Sequence, residues 1–158
     1  MRKTFQKEEE IMSWLKKNNV VVPVDFSEFS YSAINIAAEF VESNSNIHII
    51  HVVREMNPRS LSRGLGKKYK EYIDERQKIV QDELKSNVTD NFPGINIHVK
   101  EGEPGEGIAN FASRNNADLI VIPSFGRKGV KEHMLGSVAE RVLRLAPCSV
   151  LVIKPHGK

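Results

Sequence analysis

A chain of 158 residues, 40% hydrophobic and 27% charged, is long enough for one domain with its own core and needs no metal or disulfide staple. Twenty-three basic against 20 acidic side chains leave +3, too slight an excess to mark a nucleic-acid partner, though it admits anionic ligands. One cysteine excludes an intrachain disulfide, and no apolar run reaches membrane-spanning length or forms a secretory h-region, so a cytoplasmic protein with no membrane partner is expected.

Residues 1–17 come first, and Phe5, Ile11, Met12, Trp14 and Leu15 fall on one helical stripe. A docked N-terminal helix is therefore expected ahead of a domain over 18–158. Val20–Val24 is apolar on both faces, the pattern of a buried strand. Ser27 can cap a helix beginning near Glu28, with Ala33, Ile34, Ala37, Ala38 and Val41 at helical spacing. Ser-Asn-Ser-Asn at 43–46 breaks that helix, and Ile47–Val53 is a second strand.

A polar, basic segment with Pro58 and two glycines leads to a helix over 66–88. Its expected apolar stripe is Tyr69, Tyr72, Ile73, Ile79, Val80 and Leu84. Arg59, Arg63, Lys67, Lys68 and Lys70 read as a solvated face. Ile95–Val99 alternates and reads as a third strand toward a sheet edge. Gly102-Glu-Pro-Gly opens a helix over 105–115, with Ile108, Phe111 and Ala112 facing in. Leu119–Ile122 is the fourth strand, 136–145 a helix carrying Val138, Val142 and Leu145, and Ser149–Ile153 the fifth strand. Cys148, at the mouth of that strand, should pack as a small inert hydrophobe.

Strands alternating with helices predict an open five-stranded parallel sheet covered on both faces. Ligands in such sheets bind past the carboxyl ends of the strands, where strand order reverses. The loops to inspect begin at Asp25 and Pro123. The second runs from a strand through spaced glycines and basic residues to Gly136-Ser137 at a helix start. Glycines let backbone N–H groups approach an anion, and a helix N-terminus adds partial positive charge. Phosphate is the ligand such a segment would hold. Asp25, at a strand carboxyl end, either fixes its loop or touches a ligand, and Ser27 is a cap rather than a nucleophile.

Other chemistry finds little support. His48 and His51 lie three apart on a strand and face opposite sides, so they share no metal, and no Cys/His spacing suits zinc. His133 reads as a solvent-facing loop residue. Gly66-Lys67 lacks the glycine and hydroxyl spacing of a classical NTPase loop, and Gly102, Gly105 and Gly107 lack the dinucleotide spacing.

Four segments in chain order resemble the universal stress protein family. They are Val22-Pro-Val-Asp25-Phe-Ser27-Glu-Phe-Ser30-Tyr-Ser-Ala33, Ile49-Ile-His-Val-Val53, Gly102-x-Pro104-x3-Ile108-x3-Ala112 with Ala117–Ile122, and Gly126 through Ile153. The family's loop pattern is Gly-x2-Gly-x9-Gly-Ser/Thr. Gly126-x9-Gly136-Ser137 matches it, while Pro123 stands at the first glycine and Phe125 where smaller or polar residues leave more room.

The resemblance implies an adenine nucleotide alpha hydrolase-like fold with strand order 3-2-1-4-5. It also implies a homodimer joined through the fifth strand. ATP is implied as a ligand, since some members bind it, with Mg²⁺ entering only with the nucleotide. Val24, Asp25 and Val53 would then be adenine-side residues, and Gly126, Gly129, Gly136 and Ser137 would take ribose and phosphates with Arg127 nearby. Related folds that adenylate substrates carry a Ser-Gly-Gly-type loop after the first strand; Asp25-Phe-Ser-Glu here argues against that chemistry. The expectation is a non-enzymatic stress-response dimer with a regulatory nucleotide. The alternatives are a slow Mg-dependent nucleotide hydrolase and a dimeric scaffold that binds no nucleotide.

Overall fold

The computed structural model describes residues 15–54, 58–125 and 135–154, the side chains of 58–67 excepted. The helix expected over residues 1–17 lies outside these up to residue 14. Its last residues do touch the body: Lys16 Nζ donates to the carbonyls of Glu39 and Val41, and Lys17 N–H donates to Phe40 O.

Five parallel strands, β1 (Val20–Pro23), β2 (Ile47–Val53), β3 (Asn96–Glu101), β4 (Leu119–Pro123) and β5 (Ser149–Ile153), form one sheet in the order β3-β2-β1-β4-β5. The helices are α1 (Glu28–Ala38), α2 (Pro58–Val88), α3 (Pro104–Arg114) and α4 (Ser137–Leu145), with a 3-10 turn at Asn44–Asn46. Among the described residues no helix is long and apolar enough to cross a membrane.

The strand alternation splits the core in two. Val20, Val22, Ile47, Ile49, Leu119 and Val121 face α1 and the end of α2, through Ala33, Ile34, Leu84 and Val88. Val21, Ile50, Val52, Ile120 and Ile122 face α3 and α4, through Ile108, Phe111, Ala139 and Val142. A parallel sheet buried on both faces needs apolar side chains at consecutive positions, which explains the runs in β1 and β4.

Four expectations need correction. α2 begins at Pro58, not near 66. Proline suits a first helical turn, and each interior glycine costs only about 1 kcal/mol, so neither stops the helix. On α2, Tyr72 and Ile79 are exposed, whereas Ile73, Leu84 and Val88 are buried and Val80 packs on the core. On α4, Leu145 is exposed and Ala139 takes the inward position beside Val142. α1 ends at Ala38, and Val41 is buried beyond the helix rather than within it.

Candidate functional site

The ladder between β1 and β4 pairs Val20 with Leu119 and Val21 with Ile120, and stops there. On their other sides the strands pair further, through Pro23↔Ile50 and Pro123↔Ile153. Hydrogen bonding explains the difference. Val24 N–H donates to Ile50 O in β2, and Ser124 N–H donates to Ile153 O in β5. Alternate residues of a parallel strand bond to alternate neighbours, so the backbone of Pro23 faces β4 and that of Pro123 faces β1. Past Val21 and Ile120 the ladder needs an N–H first from residue 23 and then from residue 123. Both are proline, which has none. The central strands therefore part at their carboxyl ends, at the point where strand order reverses.

On the β1 side, the loop is locked by its own side chains. Asp25 Oδ1 accepts from Ser27 N–H at 3.1 Å and from Ser27 Oγ at 2.6 Å. Ser27 Oγ in turn accepts from Ser30 N–H and caps α1, as its position in the sequence predicts. Ser30 Oγ donates to Ser27 O. Asp25 thus fixes the turn, one of the two roles its place suggested, and the Ser27 hydroxyl is spent on structure.

Phe26 lies between them in the left-handed region, at φ +66°. For a bulky residue that conformation costs roughly 1–2 kcal/mol. Its ring packs against His51, centroids 4.9 Å apart. His51 Nδ1–H donates to Val24 O at 2.7 Å, which fixes the tautomer because a carbonyl can only accept. His51 thereby clamps the end of β1 to β2. No local sequence pattern marks this histidine as a clamp, because its partner Val24 lies 27 residues away.

On the β4 side, Gly136 N–H donates to Ser124 O at 2.6 Å. A Cβ on Gly136 would lie 3.1 Å from that oxygen and 3.2 Å from Phe125 Cα, tighter than ordinary contact, so a side chain here would push the start of α4 and the end of β4 apart by a few tenths of an ångström. Gly136 is the N-cap of α4 at φ −66°, with no side-chain cap. The N–H groups of Ser137, Val138 and Ala139 are the first-turn donors that the helix itself cannot satisfy. Ser124, itself buried, is the residue that holds this helix start, and no local pattern marked it. Phe125, which stands where the family pattern has smaller or polar residues, stacks on Phe29 of α1, with centroids 5.6 Å apart.

Five sequence-predicted site residues are thus described at one end of the sheet. Val24 and Val53 are 3% exposed, so only their backbones can meet a ligand. Val53 O already accepts from Gly102 N–H. Asp25 sits on the β1 rim, and Gly136 with the exposed Ser137 on the β4 rim. Gly126, Arg127 and Gly129, with His133, lie outside the described residues.

Elsewhere, burial and then the charge of Asp118 raise the pKa of Cys148, which is half-buried against the α3–α4 face of the core, so the thiol stays protonated as expected. Among the described residues no three His, Cys, Asp or Glu side chains gather as a metal site.

The model of the Universal stress protein family matches residues 17–154. Universal stress protein MJ0531 of Methanocaldococcus jannaschii is 35% identical over 145 residues, covering 88% of this chain and 83% of that protein. Universal stress protein YxiE of Bacillus subtilis is 32% identical over 147 residues, covering 87% and 99%. The solved structure of MJ0577, also from Methanocaldococcus jannaschii, superposes with a TM-score of 0.69 at 27% identity, covering 91% of this chain and 99% of that one.

Proposed function

The chain belongs to the universal stress protein family, and from that premise we propose that it is a dimeric stress-response protein that binds ATP or a related adenine nucleotide as a regulatory ligand. One observation carries the reading. The parting of β1 and β4 opens beside an α4 start that has no side-chain cap and is drawn in by Gly136. First-turn N–H groups with the helix dipole behind them suit a phosphate.

In this reading the phosphates lie against Ser137 and Gly136, with Gly126, Arg127 and Gly129 completing the loop. The nucleoside lies toward Val24, Asp25 and Val53. Mg²⁺ would enter only on the phosphates. The Ser27 hydroxyl, committed to Asp25 and to Ser30, supports binding rather than hydrolysis.

The dimer joins through β5. That strand is an edge of the sheet, its residues Val150–Ile153 are only partly buried, and Leu143 and Leu145 are exposed on the preceding helix. An apolar edge is an aggregation hazard unless a partner covers it, and a second copy would do so.

One specific observation favours a nucleotide-free scaffold: Pro123 offers no N–H where the family pattern has glycine. Calorimetry with ATP, ADP and AMP, beside sedimentation at micromolar protein, separates the readings. Saturable binding with twice the chain mass supports the proposal. Silence at millimolar ligand leaves the scaffold, and a strict monomer removes the dimer.

A further inference from the structure

His98 on edge strand β3 and His48 on β2 lie on the same face of the sheet, the one that packs on α3. His48 Nδ1 and His98 Nε2 are 3.2 Å apart, and the rings are stacked with centroids at 5.4 Å. Phe111 of α3 covers both, with centroids 6.3 Å from His48 and 4.6 Å from His98. On its far side His48 Nε2 meets Asn19 Oδ1 at 3.3 Å.

The chain of contacts sets the protons. With Asn19 Oδ1 accepting from His48 Nε2–H, a neutral His48 presents Nδ1 as an acceptor, and His98 Nε2–H donates to it. One added proton fits on His98 Nδ1 with this bond intact. The next can go only to His48 Nδ1. Two N–H donors then meet head to head, and two positive charges face each other across neighbouring strands.

We propose that the His48–His98 pair is an acid-sensitive latch: a second proton breaks the side-chain bond that supplements the backbone ladder between edge strand β3 and β2, and loosens that edge of the sheet. The groups around the pair oppose its charging. Phe111 and Asn19 are neutral. Lys100 on β3 adds positive charge. The carboxylate of Asp118, beside Asn19, is engaged by the N–H groups of Asn18 and Asn19. Burial lowers the pKa of both rings, and His48 and Lys100 lower that of His98 further. Rings held below their unfolded pKa contribute stability that is present above about pH 6.5 and lost as pH falls through the folded values.

The test uses the full chain. Hydrogen exchange at β3, corrected for intrinsic rates, is compared between pH 7.5 and pH 5 in the wild type and in His98→Gln. Wild-type protection at 96–101 should fall severalfold, while the variant, which has one ring left and so takes no second proton, should change far less. The variant comparison removes the contribution of the other histidines. Equal losses in both proteins overturn the latch. If the variant does not fold, nuclear magnetic resonance titration of the wild-type rings decides. Two coupled steps, the second well below the ordinary histidine value, support it; two independent titrations near that value overturn it.

Discussion

Pro23 and Pro123 stand on neighbouring strands at the two positions where the β1–β4 ladder would next need an amide donor. The opening at the centre of the sheet is therefore written into the backbone chemistry and does not depend on a ligand to hold it apart.

Pro23→Ala should let the ladder run on to Val121 O and narrow the opening. Stability should change little: a net hydrogen bond contributes about 0.5–1.5 kcal/mol, and the added chain freedom costs about 0.4–1 kcal/mol. Nucleotide affinity should fall. In Pro123→Gly the donor needed first, at residue 23, is still missing, so the ladder stays open and the added N–H faces the opening, where it should raise affinity about threefold to tenfold by the same hydrogen-bond estimate. Calorimetry on the two variants checks the opposed signs.

Gly136→Ala tests the start of α4. The φ of −66° is open to any residue, so the harm must come from the Cβ meeting Ser124 O and Phe125 Cα. Overpacking of this kind costs about 1–3 kcal/mol, because backbone rather than a flexible side chain must move. The variant should melt earlier and bind nucleotide less well. An unchanged melting temperature would contradict the close approach.

Phe26 offers an ordering rather than a magnitude. Phe26→Ala loses the ring contact with His51 and keeps the left-handed strain. Phe26→Gly loses the same contact but relieves the strain. Glycine should be the more stable of the two by about 1 kcal/mol. Denaturant unfolding of both variants reads this directly.

Cys148 should alkylate slowly at pH 8, since the thiolate is the nucleophile and burial with the charge of Asp118 raises the pKa. Mass spectrometry over time, with the unfolded chain as reference, should show slower labelling in the native protein.

The fold was legible because its signals are local. Val20-Val-Val reads as a doubly buried strand from three consecutive side chains, and Ser27 caps α1 through a bond reaching only three residues. The start of α2 was harder, since Pro58 and the glycines resemble breakers until proline is placed in the first turn. The edge of its buried face was harder still: Ile79 and Val80 are adjacent and about 100° apart on the helix, and only Val80 falls on the side that meets the core.

The site was legible only in outline. Asp25, Gly136 and Ser137 could be set near a strand end from order alone. What shapes the opening could not. Which way the nitrogen of Pro23 points depends on pairing with strands that begin at residues 47 and 119, and the hold of Ser124 on Gly136 is a backbone contact with no side-chain signature.

The central claim is that the opening beside α4 holds a nucleotide's phosphates. Amide resonances of the wild-type protein, followed during titration with ATP, test it most directly. Saturable shifts at Ser137, Val138 and Ala139, joined by those of Asp25–Ser27, are the expected result. Unmoved amides at millimolar ATP, or shifts confined to α2 and β3, would contradict it.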